Sequence, residues 1–194
     1  MEKEGISGFV LAGGKSSRMG RDKALLDFRG QPLLPYMLNL IRPFCSDTFI
    51  SGNNPVYQML GVKVIPDIYA DKGPISGIFS VLNFTQSDWN LIVSVDVPMV
   101  NHELLLYLID HRNSYDAVVP VHSEGTEPLI ALYHKRIIPI IQEMIDTNDY
   151  KLMNLFKRIN TYYLDCNELV RRHPHLFLNV NKLDDYQAIQ ALGF

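Results

Sequence analysis

The sequence predicts an α/β fold in which a mostly parallel sheet is covered by helices on both faces. Two observations lead to this prediction. Short runs of apolar residues alternate along the chain with longer segments that have the apolar spacing of helices. The chain also has 194 residues, 47% of them hydrophobic, which is enough for one sizeable core and short for two. We therefore expect a single domain that spans residues 1–194.

The expected elements follow one another in a regular order. The strands are expected at 6–12, 48–51, 62–65, 91–95, 117–121, 129–133 and 161–164, and the helices at 32–44, 56–60, 75–83, 101–112, 137–144, 151–159 and 183–192. Asn101 is expected to cap its helix, with Glu103 in the first turn, where a carboxylate suits the helix dipole. Ligands of such sheets bind beyond the carboxyl ends of strands, so the loops after Ala12, Ile65 and Val95 are expected to carry the chemistry.

Composition limits the classes of function. The formal net charge is −3 and the isoelectric point is near 6.0, so the chain has no general attraction for nucleic acid or anionic membranes. No apolar run is long enough to span a membrane, and the first apolar stretch is too short for a secretion signal. Cys45 and Cys166 lie far apart without metal-type spacing, which favours free thiols in a reducing compartment. We expect a cytoplasmic protein that binds neither nucleic acid nor membranes.

The most informative segment is residues 11–23, Leu-Ala-Gly-Gly-Lys-Ser-Ser-Arg-Met-Gly-Arg-Asp-Lys, which overlaps the end of the first expected strand. Glycines let the backbone reach positive φ and let a ligand approach main-chain N–H groups, which then bind phosphate oxygens. Hydroxyls and cations in the same segment add to those amides. The residues expected to bind a nucleotide here are Leu11, Ala12, Gly13, Gly14, Ser16, Gly20 and Lys23. The combination predicts a site for a triphosphate.

Two common phosphate loops do not fit this segment. Gly14-Lys15-Ser16 resembles the end of a Walker A loop, but such a loop also needs a glycine five positions earlier. That position holds Phe9. A dinucleotide-binding fingerprint needs glycines in a G-x-G-x-x-G frame, whereas here they stand at 13, 14 and 20. The alternative that stays open is a Gly-Gly turn that ends a strand and is followed by solvated cations.

Three charged residues are the expected catalytic groups. Arg18 can bind two phosphate oxygens at once, and Lys23 can meet phosphate as a mobile point charge. Asp96 ends the apolar run Leu-Ile-Val-Ser-Val and precedes Val97-Pro98, so its carboxylate lies where the chain leaves the core. One rigid aspartate can hold Mg²⁺ together with triphosphate oxygens and waters, although a strand-end Asp that caps a turn is the alternative. Asp22, among cations, is expected to pair with one of them and steady the loop.

The segment at 11–23 resembles the N-terminal signature of the molybdenum cofactor guanylyltransferases, a family of nucleotidyltransferases. The resemblance continues along nearly the whole chain and rests on the order of later segments that are individually weak. These segments are Gly30-Gln31-Pro32-Leu33-Leu34, Asn53, Pro66-Asp67, Gly73-Pro74-Ile75-Ser76-Gly77-Ile78, Asp96-Val97-Pro98, Glu127-Pro128-Leu129 and Asn179-Val180-Asn181. The resemblance implies a three-layer, Rossmann-like nucleotidyltransferase fold of the GT-A type.

The resemblance also implies a reaction. Such an enzyme transfers GMP from GTP to the terminal phosphate of molybdopterin by direct, magnesium-dependent in-line attack, and it releases pyrophosphate. The implied partners are GTP and molybdopterin as substrates, with transient contacts to molybdenum cofactor insertion proteins or molybdoenzymes. Three alternatives stay open: transfer from CTP to molybdopterin, transfer of a nucleotide to a phosphosugar, and a regulator that binds GTP without catalysis.

Selection of the base is expected to involve Asp67 and Asn53. Guanine presents two N–H donors side by side, which one carboxylate can accept, and adenine lacks that pair. Asp67 follows Pro66 at an expected strand end, and the family's positions that match Asp67 and Asn53 contact the nucleotide. Ordinary turn chemistry is the alternative for both residues. Gly13-Gly14 resembles the guanylyl branch, whose cytidylyl relatives usually have Ala-Gly there, and this favours GTP.

Two further segments complete the expected site. Gly77 belongs to a glycine-containing helix start where backbone can approach a ligand closely, and its family counterpart lies near the active site; an ordinary helix start is the alternative. Asn179 and Asn181 alternate on a strand pattern and share one face, where their amides are expected to bind the acceptor. The family's usual Thr-Pro after the second asparagine is Lys182-Leu183 here, which leaves the details of acceptor binding open.

Overall fold

The computed structural model describes residues 5–13, 22–180, 185–187 and 189. The strands are β1 (Ile6–Leu11), β2 (Asp27–Phe28), β3 (Gln31–Pro32), β4 (Asp47–Ser51), β5 (Val64–Ile65), β6 (Trp89–Ser94), β7 (Ala117–His122), β8 (Gly125–Thr126), β9 (Ile130–His134) and β10 (Thr161–Asp165). The helices are α1 (Leu33–Ile41), α2 (Pro74–Phe84), α3 (His102–Asp110), α4 (Ile138–Asp146), α5 (Leu152–Phe156) and α6 (Asn167–Arg172). Short 3-10 turns lie at Lys23–Leu25, Arg42–Phe44, Pro55–Leu60 and Lys135–Ile137.

Within the described residues, a sheet of eight strands has the order β10-β7-β9-β6-β1-β4-β5, with β8 paired to β7. β1 lies between β4 and β6 and is parallel to both, β4 is parallel to β5, and β7 is parallel to β10. β9 runs antiparallel to its neighbours β6 and β7, and β8 runs antiparallel to β7. The mostly parallel sheet that the sequence predicts is confirmed.

Helices cover both faces of the sheet because successive strand residues point to opposite sides. In β1, Ile6 and Val10 pack into a core with α1, α3 and α6, whereas Phe9 and Leu11 pack into a second core with α2, α4 and α5. β6 divides in the same way, with Leu91 in the first core and Ile92 in the second. The helical cover on both faces, predicted from the alternation of strands and helices, is confirmed.

Local chemistry explains where two of the helices begin. The side chain of Asn101 accepts a hydrogen bond from the N–H of Leu104 at 3.0 Å, as predicted for the cap of α3. α2 begins at Pro74, where the missing N–H costs no helical hydrogen bond. The residue before it, Gly73, has a φ of +71°, a conformation that glycine adopts without steric cost.

Several expected elements are shorter or different in the structure. The helix expected at 151–159 is α5, Leu152–Phe156, and the one expected at 32–44 is α1 followed by a 3-10 turn at Arg42–Phe44. The strand expected at 62–65 is limited to Val64–Ile65. Residues 185–187 and 189 are helical, and the rest of the helix expected at 183–192 lies outside the described residues. The hairpin β2–β3, the short β8 and α6 were not predicted from the sequence.

No helix in the described part of the chain is long and apolar enough to cross a membrane. Cys45 and Cys166 are both buried, and neither is in a disulfide. Burial raises the pKa of the Cys166 thiol to about 11, so this thiol is protonated and unreactive at neutral pH.

Candidate nucleotide-binding site

Four strands end side by side at one edge of the sheet, because β5, β4, β1 and β6 are adjacent and parallel. Backbone hydrogen bonds continue past the strand ends and hold the departing chains together. The N–H of Ala12 donates to Ser51 O at 2.8 Å, Val95 N–H donates to Leu11 O at 3.0 Å, and Gly52 N–H donates to Ile65 O at 3.0 Å. The loops that were expected to carry the chemistry therefore leave the sheet next to one another.

Lys23 and Asp96 form an ion pair at this edge. Lys23 Nζ lies 2.9 Å from Asp96 Oδ1, with the lysine side chain 12% exposed and the aspartate side chain 31% exposed. Two charged groups that the sequence analysis chose on separate grounds are thus in contact. In this arrangement the charges neutralise each other. A phosphate group and a divalent cation together offer replacement partners for both, an anion for the lysine and a cation for the aspartate.

The backbone around Asp96 is fixed on both sides. Its N–H donates to Ser94 Oγ at 3.3 Å, and its carbonyl oxygen accepts from Val180 N–H at 2.8 Å. The second bond brings the exposed Asn179 next to the segment that carries Asp96. Residues 178–180 are not in a strand, so the strand pattern expected at Asn179 is wrong, because this segment bonds to a loop and not to a strand edge.

Asn53 and Asp67 are joined by two hydrogen bonds. Asn53 Oδ1 accepts from the N–H of Asp67 at 3.0 Å, and Asn53 Nδ2 donates to Asp67 Oδ2 at 3.1 Å. Burial raises the pKa of the Asp67 carboxyl, and the hydrogen bond from Asn53 partly opposes that rise. The pair fixes the orientation of a carboxylate whose second oxygen, Oδ1, lies toward α2.

Gly77 stands where three strand ends meet. A Cβ on Gly77 would lie 3.5 Å from Ser51 Oγ, 3.6 Å from Asp67 Oδ1 and 3.6 Å from Leu11 Cδ2. These are ordinary van der Waals distances, so the protein has room for a methyl group at this position. The fold by itself therefore does not require glycine there.

Gly13 shows a similar freedom. It is exposed, a Cβ on it would meet nothing within 4 Å, and its φ is not among the positive values. The expectation that glycine provides positive φ in this segment is therefore wrong for Gly13. Because glycine has no side chain, a ligand can approach the backbone of Gly13.

Asp22 does not have the partner that the sequence analysis expected. In the described residues its carboxylate accepts from neutral groups: the Tyr57 hydroxyl at 2.8 Å, the Asn54 side-chain amide at 2.5 Å and the N–H of Ala24 at 3.0 Å. The expected pairing with a cation is not among these contacts. The bond to Ala24 makes Asp22 the cap of the 3-10 turn Lys23–Leu25. It therefore fixes the backbone of Lys23, the first residue of that turn.

Tyr57 and Asn54 were not predicted as site residues from the sequence. Both lie in the loop after β4, where Pro55 starts a 3-10 turn and Asn54 caps it by accepting from Val56 N–H at 3.0 Å. The Asn-Pro pair is a recognisable sign of such a turn. Nothing in the sequence indicates that the turn packs against the segment at 11–23, because that contact joins positions more than thirty residues apart.

Five residues of the expected site lie outside the described residues. They are Gly14, Ser16, Arg18, Gly20 and Asn181. The described residues on either side of the first four, Gly13 and Asp22, both belong to the edge just described.

The described residues fit a metal ion that binds together with the phosphates of a nucleotide. The described part of the chain holds no group of three His, Cys, Asp or Glu side chains arranged to bind a metal. A site with Asp96 as its protein ligand does not suit an ion held by protein alone. It suits Mg²⁺, which keeps several waters and takes phosphate oxygens as ligands.

The chain is similar to known proteins in sequence and in fold. Residues 8–162 match the family model of the MobA-like NTP transferase domain. A probable molybdenum cofactor guanylyltransferase of Flavobacterium johnsoniae is 33% identical over 183 residues, which is 94% of this chain and 95% of that protein. One from Bacillus cereus strain ZK / E33L is 32% identical over 191 residues, with 95% of each chain covered. The crystal structure of molybdopterin-guanine dinucleotide biosynthesis protein A from Archaeoglobus fulgidus superposes with a TM-score of 0.81 at 24% identity, covering 96% of this chain and 97% of that one.

Proposed function

The chain belongs to the family of MobA-like NTP transferases and is a nucleotidyltransferase, and on that premise we propose that it transfers GMP from GTP to the terminal phosphate of molybdopterin. The observation that carries this proposal is the meeting of Lys23 and Asp96 at 2.9 Å beside the glycine-rich segment. A cation for phosphate and a carboxylate for a metal are the two charges that a metal-bound triphosphate needs.

The choice of GTP is supported by the Asn53 and Asp67 pair. The carboxylate Oδ2 accepts from Asn53, and Oδ1 faces the space beside Gly77. A guanine base in that space presents N1–H and N2–H donors to the carboxylate, whereas cytosine and adenine lack that pair of donors. Transfer of CMP to molybdopterin and transfer to a phosphosugar remain the alternatives from the same enzyme class.

The proposed chemistry is a single displacement. An oxygen of the acceptor phosphate forms a bond to the α-phosphorus of GTP, and the bond from that phosphorus to the bridging oxygen of the pyrophosphate breaks. The nucleophile is already an anion, so no side chain has to remove a proton. Lys23 and Arg18 neutralise charge on the phosphates, and the amides of the segment at 13–20 hold the leaving pyrophosphate.

Asp96 is the residue proposed to hold Mg²⁺. When bound there, the ion would neutralise charge on the phosphate oxygens as the pyrophosphate leaves. The acceptor is proposed to lie against Asn179 and Asn181, next to the bond between Val180 N–H and Asp96 O. Contacts with proteins that insert the cofactor, a cytoplasmic location, and a single domain over residues 1–194 belong to the same proposal.

Loss of either member of the ion pair is expected to abolish turnover while the fold remains. In Asp96→Asn and Lys23→Met the side chains keep their approximate size and lose their charge, so kcat/KM should fall by about 100-fold or more. The measurement is pyrophosphate release from GTP and molybdopterin, with thermal unfolding as the check on folding. Lys135→Met is the control, since Lys135 pairs with Asp88 at 3.6 Å at the opposite edge of the sheet. Full activity in either site variant would refute the proposed role.

A methyl group at Gly77 is expected to block the nucleotide without harming the fold. Gly77→Ala places a Cβ at ordinary van der Waals distances from its neighbours within a helix, so the free energy of unfolding should rise by about 0.5 to 1 kcal/mol. The affinity for GTP, measured by calorimetry, should fall by about tenfold or more, because the base approaches that position. Asn83→Ala, at the far end of α2, should leave GTP affinity unchanged. If Gly77→Ala binds GTP as tightly as the wild type does, the base does not bind next to Gly77.

Binding of guanosine should weaken as the pH falls through the pKa of Asp67. The ionised carboxylate accepts the guanine N–H groups, so affinity is full above that pKa and is lost on protonation. Burial raises this pKa, so the loss should begin at a higher pH than for an ordinary aspartate. Guanosine is used because it lacks phosphates that titrate. In Asp67→Asn the affinity should be low and independent of pH, and a pH profile equal to that of the wild type in this variant would contradict the assignment.

A further inference from the structure

The hydroxyl of Tyr57 lies between the two ends of the glycine-rich segment. Its oxygen is 3.0 Å from the carbonyl oxygen of Ala12, near the start of the segment at 11–23, and 2.8 Å from Asp22 Oδ2, near its end. Both acceptors are therefore within about 6 Å of each other, since they share one hydrogen-bond donor. Ala12 and Asp22 are thus held close together although nine residues separate them in the chain.

Close packing holds the tyrosine in this place. Tyr57 is 1% exposed, and its ring packs against Gly52, where a Cβ would come within 3.1 Å of Cε2. That distance is tighter than an ordinary contact, so glycine at 52 gives the ring its position. Burial together with the bond to Asp22 raises the pKa of the Tyr57 hydroxyl, which keeps it protonated and able to donate.

The same contacts extend to the catalytic lysine. Asp22 Oδ2 also accepts from Asn54 Nδ2 at 2.5 Å, while Asp22 Oδ1 caps the turn that begins at Lys23. Lys23 in turn reaches Asp96. Hydrogen bonds therefore tie the loop after β4 to Asp22 and to the turn that contains Lys23, whose ammonium group is proposed to meet phosphate.

We propose that Tyr57, with Asn54, is a positioning residue for the triphosphate: it fixes the distance between Ala12 and Asp22 and the backbone position of Lys23. The inference rests on the proposed function only in taking a triphosphate as the ligand. The proposed role involves no contact between Tyr57 and the phosphates. It acts through Ala12 and Asp22, and it has no part in recognition of the base.

The test compares ligands with and without phosphates in Tyr57→Phe, which removes the hydroxyl and keeps the ring. Calorimetry with GTP, magnesium pyrophosphate and guanosine should show about tenfold weaker binding of the two phosphate ligands and unchanged binding of guanosine. The matched control is Tyr133→Phe, because Tyr133 is fully buried and donates to Pro128 O at 2.7 Å. Tyr133→Phe is expected to lower the unfolding temperature and leave all three affinities unchanged.

A second variant keeps the inference testable if Tyr57→Phe does not fold. Asn54→Asp retains the oxygen that caps Val56 but replaces the donor to Asp22 by a like charge. This variant should weaken the binding of GTP and of pyrophosphate in the same way and leave the binding of guanosine unchanged.

The inference is overturned if a variant that folds binds the phosphate ligands as tightly as the wild type does. It is also overturned if the variant loses as much affinity for guanosine as for the phosphate ligands. If the wild type prefers CTP to GTP, the proposed function fails and the inference is tested with CTP. If it binds no triphosphate, both fail.

Discussion

The parallel pairing of β1 with both β4 and β6 is the constraint on which the site depends. Parallel strands send their carboxyl ends to one edge, so residues far apart in the sequence gather there. Lys23 follows β1, Asn53 follows β4, Asp67 follows β5 and Asp96 follows β6. Two cores, one on each face of the sheet, hold these strands in register. An antiparallel neighbour in place of β4 or β6 would send one of these groups to the opposite edge.

The ion pair between Lys23 and Asp96 gives this edge its electrostatic character. Pairs at partly exposed sites contribute on the order of 1 kcal/mol, whereas a ligand bound with micromolar affinity contributes about 8 kcal/mol. A metal-bound triphosphate can therefore take both partners from the pair at small cost, since each charge receives a new opposite charge. The neutral donors around Asp22 anchor that carboxylate to the loop after β4.

The sequence was sufficient for the features that depend on local pattern. Apolar runs such as 91–95 indicated strands buried on both faces, and the position of Asp96 after such a run predicted a carboxylate at the sheet edge. The reversal of β9 and the hairpin β2–β3 were not predicted, because strand direction and pairing depend on tertiary contacts. Tyr57 was missed for the same reason. Its role comes from hydrogen bonds to Ala12 and Asp22, far away in the chain, and not from any motif around it.

The most direct test of the account is a crystal structure of the protein with GTP and a divalent metal. We expect the phosphates between the glycine-rich segment and Lys23, the metal on Asp96 and the guanine on Asp67. Lys23 Nζ should then lie nearer to a phosphate oxygen than to Asp96 Oδ1, from which it is now 2.9 Å away. A nucleotide bound elsewhere, with the ion pair between Lys23 and Asp96 intact, would contradict the account.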